Sequence, residues 1–533
     1  MALTEQVDGS TIASVLATRA TTDSGRPYLL FDEDLYSYGA VDTHAEALAA
    51  GLAGLGVEPG DRIALVLPSC PEFVISMFAA AKLGAVVVPL NPRLATPDLQ
   101  YMLRHSEAVC AVIIEQDRGT DFLHLFEEIM PQLPDLRYLV TVGAEELWYD
   151  ETIYQFEDLL SAGAGRDFPA PETEPGDCFA LLYTSGTSGK PKGVELSHAN
   201  LLAVAAGTAE AIGLEETDRV IGISGLFHVF GLSQGVLGSA LVGASVVLLD
   251  DAGAGEVLDA AEKYKATVQY GIPTLFLSQL SLLAETARAT DSLRLAVVAG
   301  APVSDELMAD LSDRFGATVL AGYSVTETAS TVSVSVPSDS PQQRRFTVGR
   351  PISGTMVRIV EAATEGDVEL PVESVGEIRV RGPGVMLGYY RQPNQTAESF
   401  DANGFFCTGD LGLVDEDGFL HLVGRTRDVI IRSGFNVYPR EVESRIESHP
   451  AVQEVAAIGV ADELLGEAIC ACIVPVEGAI VTDHEIVDWC RETLADDKVP
   501  DIVRFVDELP RTDTGQVRRV ELARAVHSEG QST

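Results

Sequence analysis

The sequence predicts an α/β protein whose large N-terminal part is built on parallel sheets flanked by helices. Strand and helix patterns alternate through most of the chain, short strands with Gly and Asp turns replace them near residue 345, and mixed patterns return after residue 427. A chain of 533 residues also exceeds what one hydrophobic core serves. We therefore expect an N-terminal domain over 1–426 and a small α+β C-terminal domain over 427–533.

The early elements follow one another as strand, helix, strand. "GDRIALVLPS" is an apolar strand behind a Gly-Asp turn, "CPEFVISMFAAAKLG" is a helix ending at Gly84, and "AVVVPLN" is the next strand. "TPDLQYMLRHSEAVCAVII", "EVLDAAEKYKATVQYG" and "DELMADLSDRFGATVLAGYS" repeat the pattern further along. Strands that alternate with helices build parallel sheets.

The most apolar stretch, residues 225–249, is long enough to suggest a membrane span. Gly, Ser and Gln recur through it, and "GASVVLLDD" reads as a Gly turn, a buried strand and an acidic stop. We predict a buried helix and strand, and no integral membrane segment.

The later elements are short. "GEIRVRGPGVMLGYY" and "GFFCTGDLGLVDEDGFLHLVGR" predict strands joined by turns, which suits a small antiparallel barrel or sheet. We expect a β-barrel-like subdomain over about 345–426 and a domain boundary near Arg427.

The composition narrows the functional classes. A net charge of −44 and a pI near 4.4 argue against nucleic acid and anionic membranes as partners. The acidic surface is explained either by an ordinary acidic enzyme or by adaptation to a salty cytoplasm. Seven scattered cysteines, with no CxxC pair, predict reduced, mostly buried thiols. An N-terminus without a basic or apolar leader predicts a cytoplasmic protein, and a homodimer is left open.

The strongest chemical signal is "LLYTSGTSGKPKGVELSHANL", residues 181–201. Thr184 to Gly189 are all small, so their backbone N–H groups and hydroxyls can surround an anion, and Lys192 adds a charge. The spacing is not that of a Walker A loop. A flexible polar hairpin is the simpler alternative, but the length of the run and its lysine favour a phosphate site. Ser197 predicts the start of a helix.

These residues resemble the signature of the acyl-adenylate-forming, or AMP-binding, superfamily. Further motifs follow in order: "GLFHVFGL", "VVAGAPVSDEL", "AGYSVTETAS", "GEIRVRGPGVMLGYY", "GFFCTGDLG", "GRTRDVIIRSGFNVYPREVE" and "PRTDTGQVRR". The resemblance covers nearly the whole chain and is closest to acyl-CoA synthetases such as fatty-acid and 4-coumarate CoA ligases. It implies an enzyme that activates an acid with ATP and transfers the acyl group to coenzyme A.

The resemblance assigns the phosphate side of the site. Lys192 and the loop would hold the β- and γ-phosphates of ATP, Thr326 the α-phosphate, and Glu327 a Mg²⁺ ion. A carboxylate at a helix start, stabilised by the helix dipole, is the simpler reading of Glu327. The implied loop residues are Thr184, Ser185, Gly186, Thr187, Ser188 and Gly189.

The resemblance also assigns the nucleoside side. Tyr323 would lie on the adenine, with a wall of small residues beside it, and Asp410 would accept both ribose hydroxyls. Arg425 would approach the ribose and the phosphate. A turn aspartate is the alternative for Asp410. The implied adenine wall is Gly300, Ala301, Pro302 and Gly322.

The acyl pocket is implied to lie around Phe227, His228, Tyr270, Gly271 and Val325. His228 would border the path of the coenzyme A thiol, although a histidine between apolar residues is more often packed in a core. Charged side chains are not expected at this pocket. The sequence therefore favours an uncharged acyl or aryl acid.

The C-terminal domain is implied to rotate between the two half-reactions. Arg427 occupies the hinge, Gly434 would lie along the pantetheine arm, and Asn436 would reach the adenylate. A plain β-turn is the alternative for "RSGFN".

Gln516 stands where the resemblance implies a lysine bridging the carboxylate and the α-phosphate. An amide offers a dipole and no net charge, so the adenylating step loses stabilisation. Three accounts are open: a slow but sufficient step, compensation by Arg518, Arg519 or Lys498, or a homologue that only binds acyl-adenylate or nucleotide. We expect an AMP-forming carboxylate–CoA ligase using ATP, Mg²⁺ and coenzyme A. An enzyme that loads a separate carrier protein is the remaining alternative.

Overall fold

The fold combines four main sheets with helices packed around them. The structure is a computed structural model of the chain. It describes residues 2–530 except for 145–151, 170, 185–189, 223–224, 250–252, 287, 301–302, 304, 362–367, 434, 463–464 and 513–515.

The first sheet has nine strands in the described part of the chain. Its centre is parallel, with Val298 paired to Ala321, and its two margins are antiparallel. In spatial order its strands are Arg350–Pro351, Ser330–Val334, Thr318–Val325, Leu295–Val298, Val268–Gly271, Arg219–Ile221, Ser245–Val247, Pro27–Phe31 and Asp34–Ser37.

The second sheet has eight strands among the described residues, parallel except at one margin. That margin carries the hairpin in which Thr184 pairs with Lys192. In spatial order the strands are Gly388–Tyr389, Lys192–Ser197, Cys178–Thr184, Val86–Pro89, Arg62–Val66, Ala108–Ile114, Tyr138–Val142 and Ile153–Gln155. A two-stranded antiparallel ribbon, Gln116–Asp117 with Thr120–Asp121, directly follows the strand Ala108–Ile114 in the sequence. The predicted parallel α/β organisation is confirmed.

The third sheet is antiparallel and lies between the two large sheets and the C-terminal domain in the sequence. Its order is Met356–Val360, Gly376–Arg381, Phe406–Val414 and Leu420–Arg425. Within the described residues the two outer strands do not pair with each other, so the sheet is open. Of the two predicted forms, barrel and sheet, the structure has the sheet. The predicted barrel-like closure is therefore wrong. A sheet of only four strands does not curve enough for its first and last strands to pair.

The C-terminal domain has a sheet and apolar clusters of its own. Those clusters draw on residues from Ile430 to Val526, whereas the largest N-terminal cluster ends at Phe406. The strands are Phe435–Val437, Ile430–Arg432, Gly466–Pro475, Val452–Asp462 and Ile502–Phe505.

Helices begin and end where the local sequence allows. Pro71 opens the helix Pro71–Leu83, and Gly84 ends it in the left-handed conformation, at φ 66°. The Ser197 side chain caps the helix His198–Ile212 by accepting from the Asn200 N–H. The described α-helices are Leu3–Gln6, Ile12–Thr22, Tyr38–Leu55, Pro71–Leu83, Thr96–Ser106, Phe122–Ile129, Phe156–Gly163, His198–Ile212, Gly238–Val242, Ala254–Tyr264, Pro273–Glu285, Asp305–Phe315, Pro341–Phe346, Pro393–Glu398, Pro439–Glu447, Asp483–Arg491 and Arg519–Gly530.

The apolar stretch at 225–249 is a buried helix followed by a strand, as predicted. A wide helical turn, Gly231–Leu237, continues into Gly238–Val242, and the strand Ser245–Val247 follows. No helix in the described residues has the length and apolar content needed to cross a bilayer. Five of the seven cysteines are buried, in line with the predicted buried thiols.

Candidate active site

The predicted phosphate-binding hairpin lies at the margin of the second sheet. Thr184 ends one strand and Lys192 begins the next, and both side chains are half-buried. The prediction for Ser185, Gly186, Thr187, Ser188 and Gly189 falls outside the described residues. The hairpin thus places Lys192 directly opposite Thr184, the last described residue before the predicted loop.

Lys192 and Glu327 share one neighbour, Tyr389. The Lys192 Nζ lies 4.5 Å from the centre of the Tyr389 ring. The Tyr389 hydroxyl donates to Glu327 Oε1 at 2.9 Å. Sequence reasoning did not select Tyr389, because its role depends on contacts with residues distant in the chain; the only local signal was a tyrosine in "MLGYY".

Glu327 lies in a short turn, Thr326–Thr328, that follows the strand Thr318–Val325. Burial raises the pKa of Glu327 above its ordinary value, and the Tyr389 hydroxyl and the Lys192 charge both oppose that shift. The Glu327 residue as a whole is half-buried. The half-buried Thr326, predicted to contact the α-phosphate, precedes it in the chain.

The predicted ribose group is assembled by neighbouring strands. Asp410 pairs with Arg425 in the sheet register, and Arg425 Nε lies 3.0 Å from Asp410 Oδ1. The Tyr323 hydroxyl donates to Asp410 Oδ2 at 2.6 Å. Burial raises the pKa of Asp410, whereas the Arg425 charge acts to lower it.

The predicted adenine wall lies beside the same group. Val298 pairs with Ala321, and a Cβ on Gly322 would lie 3.8 Å from the Cβ of Ala299, so Gly300 directly follows a residue that borders Gly322. Gly300 has φ +89°, a conformation that favours glycine. Tyr323 is only 6% exposed, and Gly322 is half-buried. Ala301 and Pro302 lie outside the described residues.

Gln516 joins the C-terminal domain to this wall. Its Nε2 donates to the carbonyl of Gly300 at 3.1 Å, across 216 residues of sequence. Its own N–H donates to Thr512 Oγ1, also at 3.1 Å, and the Thr512 N–H donates to its carbonyl. The structure therefore brings this predicted catalytic residue into contact with Gly300, one of the residues predicted to form the adenine wall.

The three cations considered as substitutes for a lysine at 516 all contact carboxylates. Lys498 Nζ lies 2.7 Å from Glu441, and Arg518 Nη1 lies 3.1 Å from Glu521. Arg519 contacts Glu443 at 2.6 Å and also donates to the Ala457 carbonyl. Each of these three side chains thus forms an ion pair with a residue of the C-terminal domain.

The predicted acyl-pocket residues come from separate segments. The His228 and Phe227 rings are 4.7 Å apart, and both are half-buried. Tyr270 is buried with its ring edge-on to Phe230, and a Cβ on Gly271 would lie 2.7 Å from the Phe276 ring. Val325 is half-buried beside the apolar clusters. Gly271 thus permits a close approach that no other residue would.

The remaining predicted residues lie in the C-terminal domain or at its start. Arg427 is exposed, with Nε 3.7 Å from Asp428 Oδ1. Asn436 is exposed and pairs with Ile431 in a hairpin. Among the described residues, neither Arg427 nor Asn436 forms a hydrogen bond or ion pair with Lys192, Glu327 or Tyr389. Gly434 lies outside the described residues.

Comparisons with known proteins cover almost the whole chain. Residues 16–390 match the AMP-binding enzyme model, and residues 441–516 match the model of the AMP-binding enzyme C-terminal domain. The chain is 32% identical to the putative acyl-CoA synthetase YngI of Bacillus subtilis, over 96% of each protein. It is 35% identical to a feruloyl-CoA synthase of an Amycolatopsis species, over 92% of this chain and 93% of that one. Among solved structures, the anthranilate CoA ligase AuaEII in complex with anthranoyl-AMP matches with a TM-score of 0.90, at 28% identity over the full length of both chains.

Proposed function

The chain belongs to the AMP-binding enzyme family and is an ATP-dependent, AMP-forming acyl- or aryl-CoA ligase, and from this premise we propose how its residues carry the two half-reactions. In the first, a carboxylate oxygen bonds to the α-phosphorus of ATP and pyrophosphate leaves. In the second, the coenzyme A sulfur bonds to the acyl carbon, AMP leaves, and the thiol gives up its proton.

The observation that carries the proposal is the hydrogen bond from Gln516 to Gly300. Ala299, the residue before Gly300, borders Gly322, and the next residue, Tyr323, donates its hydroxyl to Asp410. A residue of the C-terminal domain thus reaches the same strand ends as the candidate nucleoside group. This supports an arrangement suited to adenylation, in which acid and ATP meet between the two domains.

Phosphate binding is assigned to the hairpin and to the turn after the central strand. Lys192 and the loop from Thr184 to Gly189 would neutralise the β- and γ-phosphates, and the Thr326 hydroxyl would donate to the α-phosphate. The half-buried position of Lys192 supports this, since a charge with restricted access to water acts more strongly on an anion.

Mg²⁺ is assigned to Glu327. A half-buried carboxylate suits an ion that prefers oxygen ligands. Among the described residues no three His, Cys, Asp or Glu side chains form a metal-binding group, so most ligands would be phosphate oxygens and water. The residues present therefore fit Mg²⁺. When bound, the ion supplies charge neutralisation on the phosphates during attack.

The nucleoside is assigned to Tyr323, Asp410 and Arg425, with Gly300 and Gly322 beside the base and Ala301 and Pro302 completing the wall. An ionised carboxylate accepts several hydrogen bonds, so Asp410 can receive ribose hydroxyls in addition to its present partners. Tyr323 and Arg425 fix the orientation of Asp410 from two sides.

The acid is assigned to the pocket of Phe227, His228, Tyr270, Gly271 and Val325. Aromatic and aliphatic surfaces suit an uncharged acyl or aryl tail. The anthranoyl group of the matched ligase structure is an example of an aryl acid handled by this fold. His228 would border the thiol path into this pocket.

Coenzyme A and the domain movement are assigned to the C-terminal domain, residues 427–533. Arg427 would be the hinge, and Gly434 and Asn436 would line the path once the domain has turned. Support comes from the separate apolar clusters of this domain, which allow it to move as a unit.

Gln516 makes a slow adenylating step the favoured account. Arg518, Arg519 and Lys498 each contact a carboxylate of the C-terminal domain, which supports this account over a substitute charge. Replacing one oxyanion donor costs on the order of a hundredfold in rate. We propose that the amide dipole of Gln516 stabilises the transition state less than a lysine would, and that the rate still suffices. We also propose a cytoplasmic location, which the seven free cysteines support. Sedimentation velocity tests for a homodimer.

The test is AMP release from ATP and Mg²⁺ over a panel of short, medium, long-chain and aromatic acids, with and without coenzyme A. We expect AMP with one class of acid, and only when coenzyme A is present. Pyrophosphate exchange with that acid, without coenzyme A, isolates the first half-reaction. AMP release that needs a carrier protein would favour carrier loading, and ATP binding with no exchange would favour a binding-only homologue.

A further inference from the structure

Tyr389 is fixed to the strand that carries Lys192. The strand Gly388–Tyr389 pairs antiparallel with Lys192–Ser197, with Tyr389 opposite Val194. The Tyr389 N–H donates to Thr396 Oγ1 at 2.9 Å. A Cβ on Gly388 would lie 2.9 Å from Thr396 Cγ2, so the close approach of the two segments requires a glycine there.

The Tyr389 side chain contacts a cation with its ring and an anion with its hydroxyl. Lys192 Nζ lies 4.5 Å from the ring centre, and the hydroxyl donates to Glu327 Oε1 at 2.9 Å. Only 6% of Tyr389 is exposed, so the ring has little freedom to turn. The three side chains come from three different segments of the chain.

Lys192 and Glu327 carry opposite charges, and opposite charges attract each other more strongly where water is scarce. A direct ion pair of Lys192 and Glu327 would satisfy both charges and leave less of each for a ligand. The tyrosine offers the ammonium a ring face and the carboxylate a neutral donor. Neither contact cancels a charge.

We propose that Tyr389 is a positioning residue that holds Lys192 and Glu327 apart and oriented, so that Lys192 keeps its charge for phosphate and Glu327 its carboxylate for a divalent cation. The inference rests on the proposed roles of those two residues. Partners that orient a metal ligand typically matter about 10- to 100-fold for metal affinity.

The test separates the hydroxyl from the ring. Tyr389→Phe removes the donor to Glu327 and keeps the ring under Lys192, whereas Tyr389→Leu removes both. Tyr390→Phe is the matched control, because its hydroxyl contacts Glu107 and makes no contact with Glu327. Mn²⁺ binding is followed by electron paramagnetic resonance with α,β-methylene-ATP bound, and binding of the nucleotide alone is measured in EDTA.

For Tyr389→Phe we expect Mn²⁺ affinity to fall about tenfold while metal-free nucleotide affinity stays within twofold of the unaltered protein. Tyr389→Leu should also weaken metal-free nucleotide binding, by about fivefold, through loss of the cation–π contact. Tyr390→Phe should change neither. In Tyr389→Phe/Glu327→Gln, the Mn²⁺ affinity should equal that of Glu327→Gln alone.

Equal Mn²⁺ affinities for Tyr389→Phe and Tyr390→Phe would overturn the inference. So would additive losses in the double variant, because Tyr389 would then act without Glu327. Thermal unfolding of each variant shows whether a loss of Mn²⁺ binding comes from misfolding. If Tyr389→Phe is destabilised, the comparison of the double variant with Glu327→Gln still tests the inference. If the expected binding pattern appears but no acid yields AMP, the proposed function fails and the role of Tyr389 stands.

Discussion

Two sides of the candidate site hold their polar groups in different ways. On the proposed phosphate side, defined by Thr184, Lys192, Glu327 and Tyr389, one buried tyrosine contacts a cation through its ring and an anion through its hydroxyl. On the docking side, defined by Gly300, Thr512 and Gln516, a neutral amide meets a backbone carbonyl. All of the first group belongs to the N-terminal domain, whereas the second joins two domains.

The difference fits what each side has to do. A site for phosphate must keep its charge oriented before the ligand arrives, because reorienting charged groups during reaction slows it. A domain that closes and opens needs contacts weak enough to break, and a neutral hydrogen bond contributes only about 1 kcal/mol. Fixed charge thus suits the proposed phosphate site, and a neutral hydrogen bond suits the proposed domain movement.

The largest effect is expected from removing the fixed charge. Lys192→Met should slow pyrophosphate exchange by about 10²- to 10³-fold, since a charge aimed at the phosphates is lost. Lys190→Met, two residues earlier, is the control: its side chain is exposed over the Tyr101 ring, and a loss of tenfold or less is expected. Equal losses in both variants would remove the distinction between the two sides.

The next prediction concerns the stability of the segment that follows the Lys192 strand. His198 follows the strand of Lys192, is 1% exposed, and accepts from the Ile12 N–H through Nδ1. Burial lowers the pKa of His198 to about 4 from 6.5. The folded state thus holds the neutral ring, so this stability is complete above pH 6.5 and is lost as the pH falls towards 4.

The change is His198→Asn, which keeps an acceptor near Nδ1 but does not titrate. Between pH 6.5 and 4 the unaltered protein should lose about 3 kcal/mol more unfolding free energy than the variant. Urea unfolding at pH 7.5, 5.5 and 4.5 measures the difference. Parallel pH curves for the two proteins would show that His198 titrates normally.

A third prediction moves charge onto the docking side. Gln516→Lys should accelerate pyrophosphate exchange by about tenfold or more, because an ammonium stabilises the charge-rich transition state better than an amide. Gln516→Ala is the opposite control and should slow the exchange. Unchanged exchange in Gln516→Lys would indicate that another residue already supplies the charge.

The smallest effect is expected from the loop that supports Gln516. Thr512→Val removes the acceptor of the Gln516 N–H and should slow adenylation by about fivefold at most. Thioester formation from supplied acyl-adenylate should keep its rate, because the proposed rotation of the C-terminal domain would turn Thr512 away from that half-reaction. A loss in both half-reactions would mean that Thr512 supports the domain as a whole.

The sequence alone predicts much of the fold. Strand and helix patterns locate the helix Pro71–Leu83 and the strand Arg62–Val66, because apolar periodicity and Gly or Pro boundaries act over a few residues. They also separate the buried segment at 225–249 from a membrane span. Barrel closure of the third sheet was not predictable in this way, since it depends on whether distant edges meet.

The sequence by itself determined the family and the chemistry that its motifs carry, because phosphate loops and turn residues work through local backbone and side-chain type. It raised the question of Gln516 but did not say where that amide lies. Only the tertiary structure decided that Gln516 contacts Gly300 and that Tyr389 joins Lys192 to Glu327. Such contacts depend on how separate segments pack, and the spacing of residues along a chain does not fix that packing.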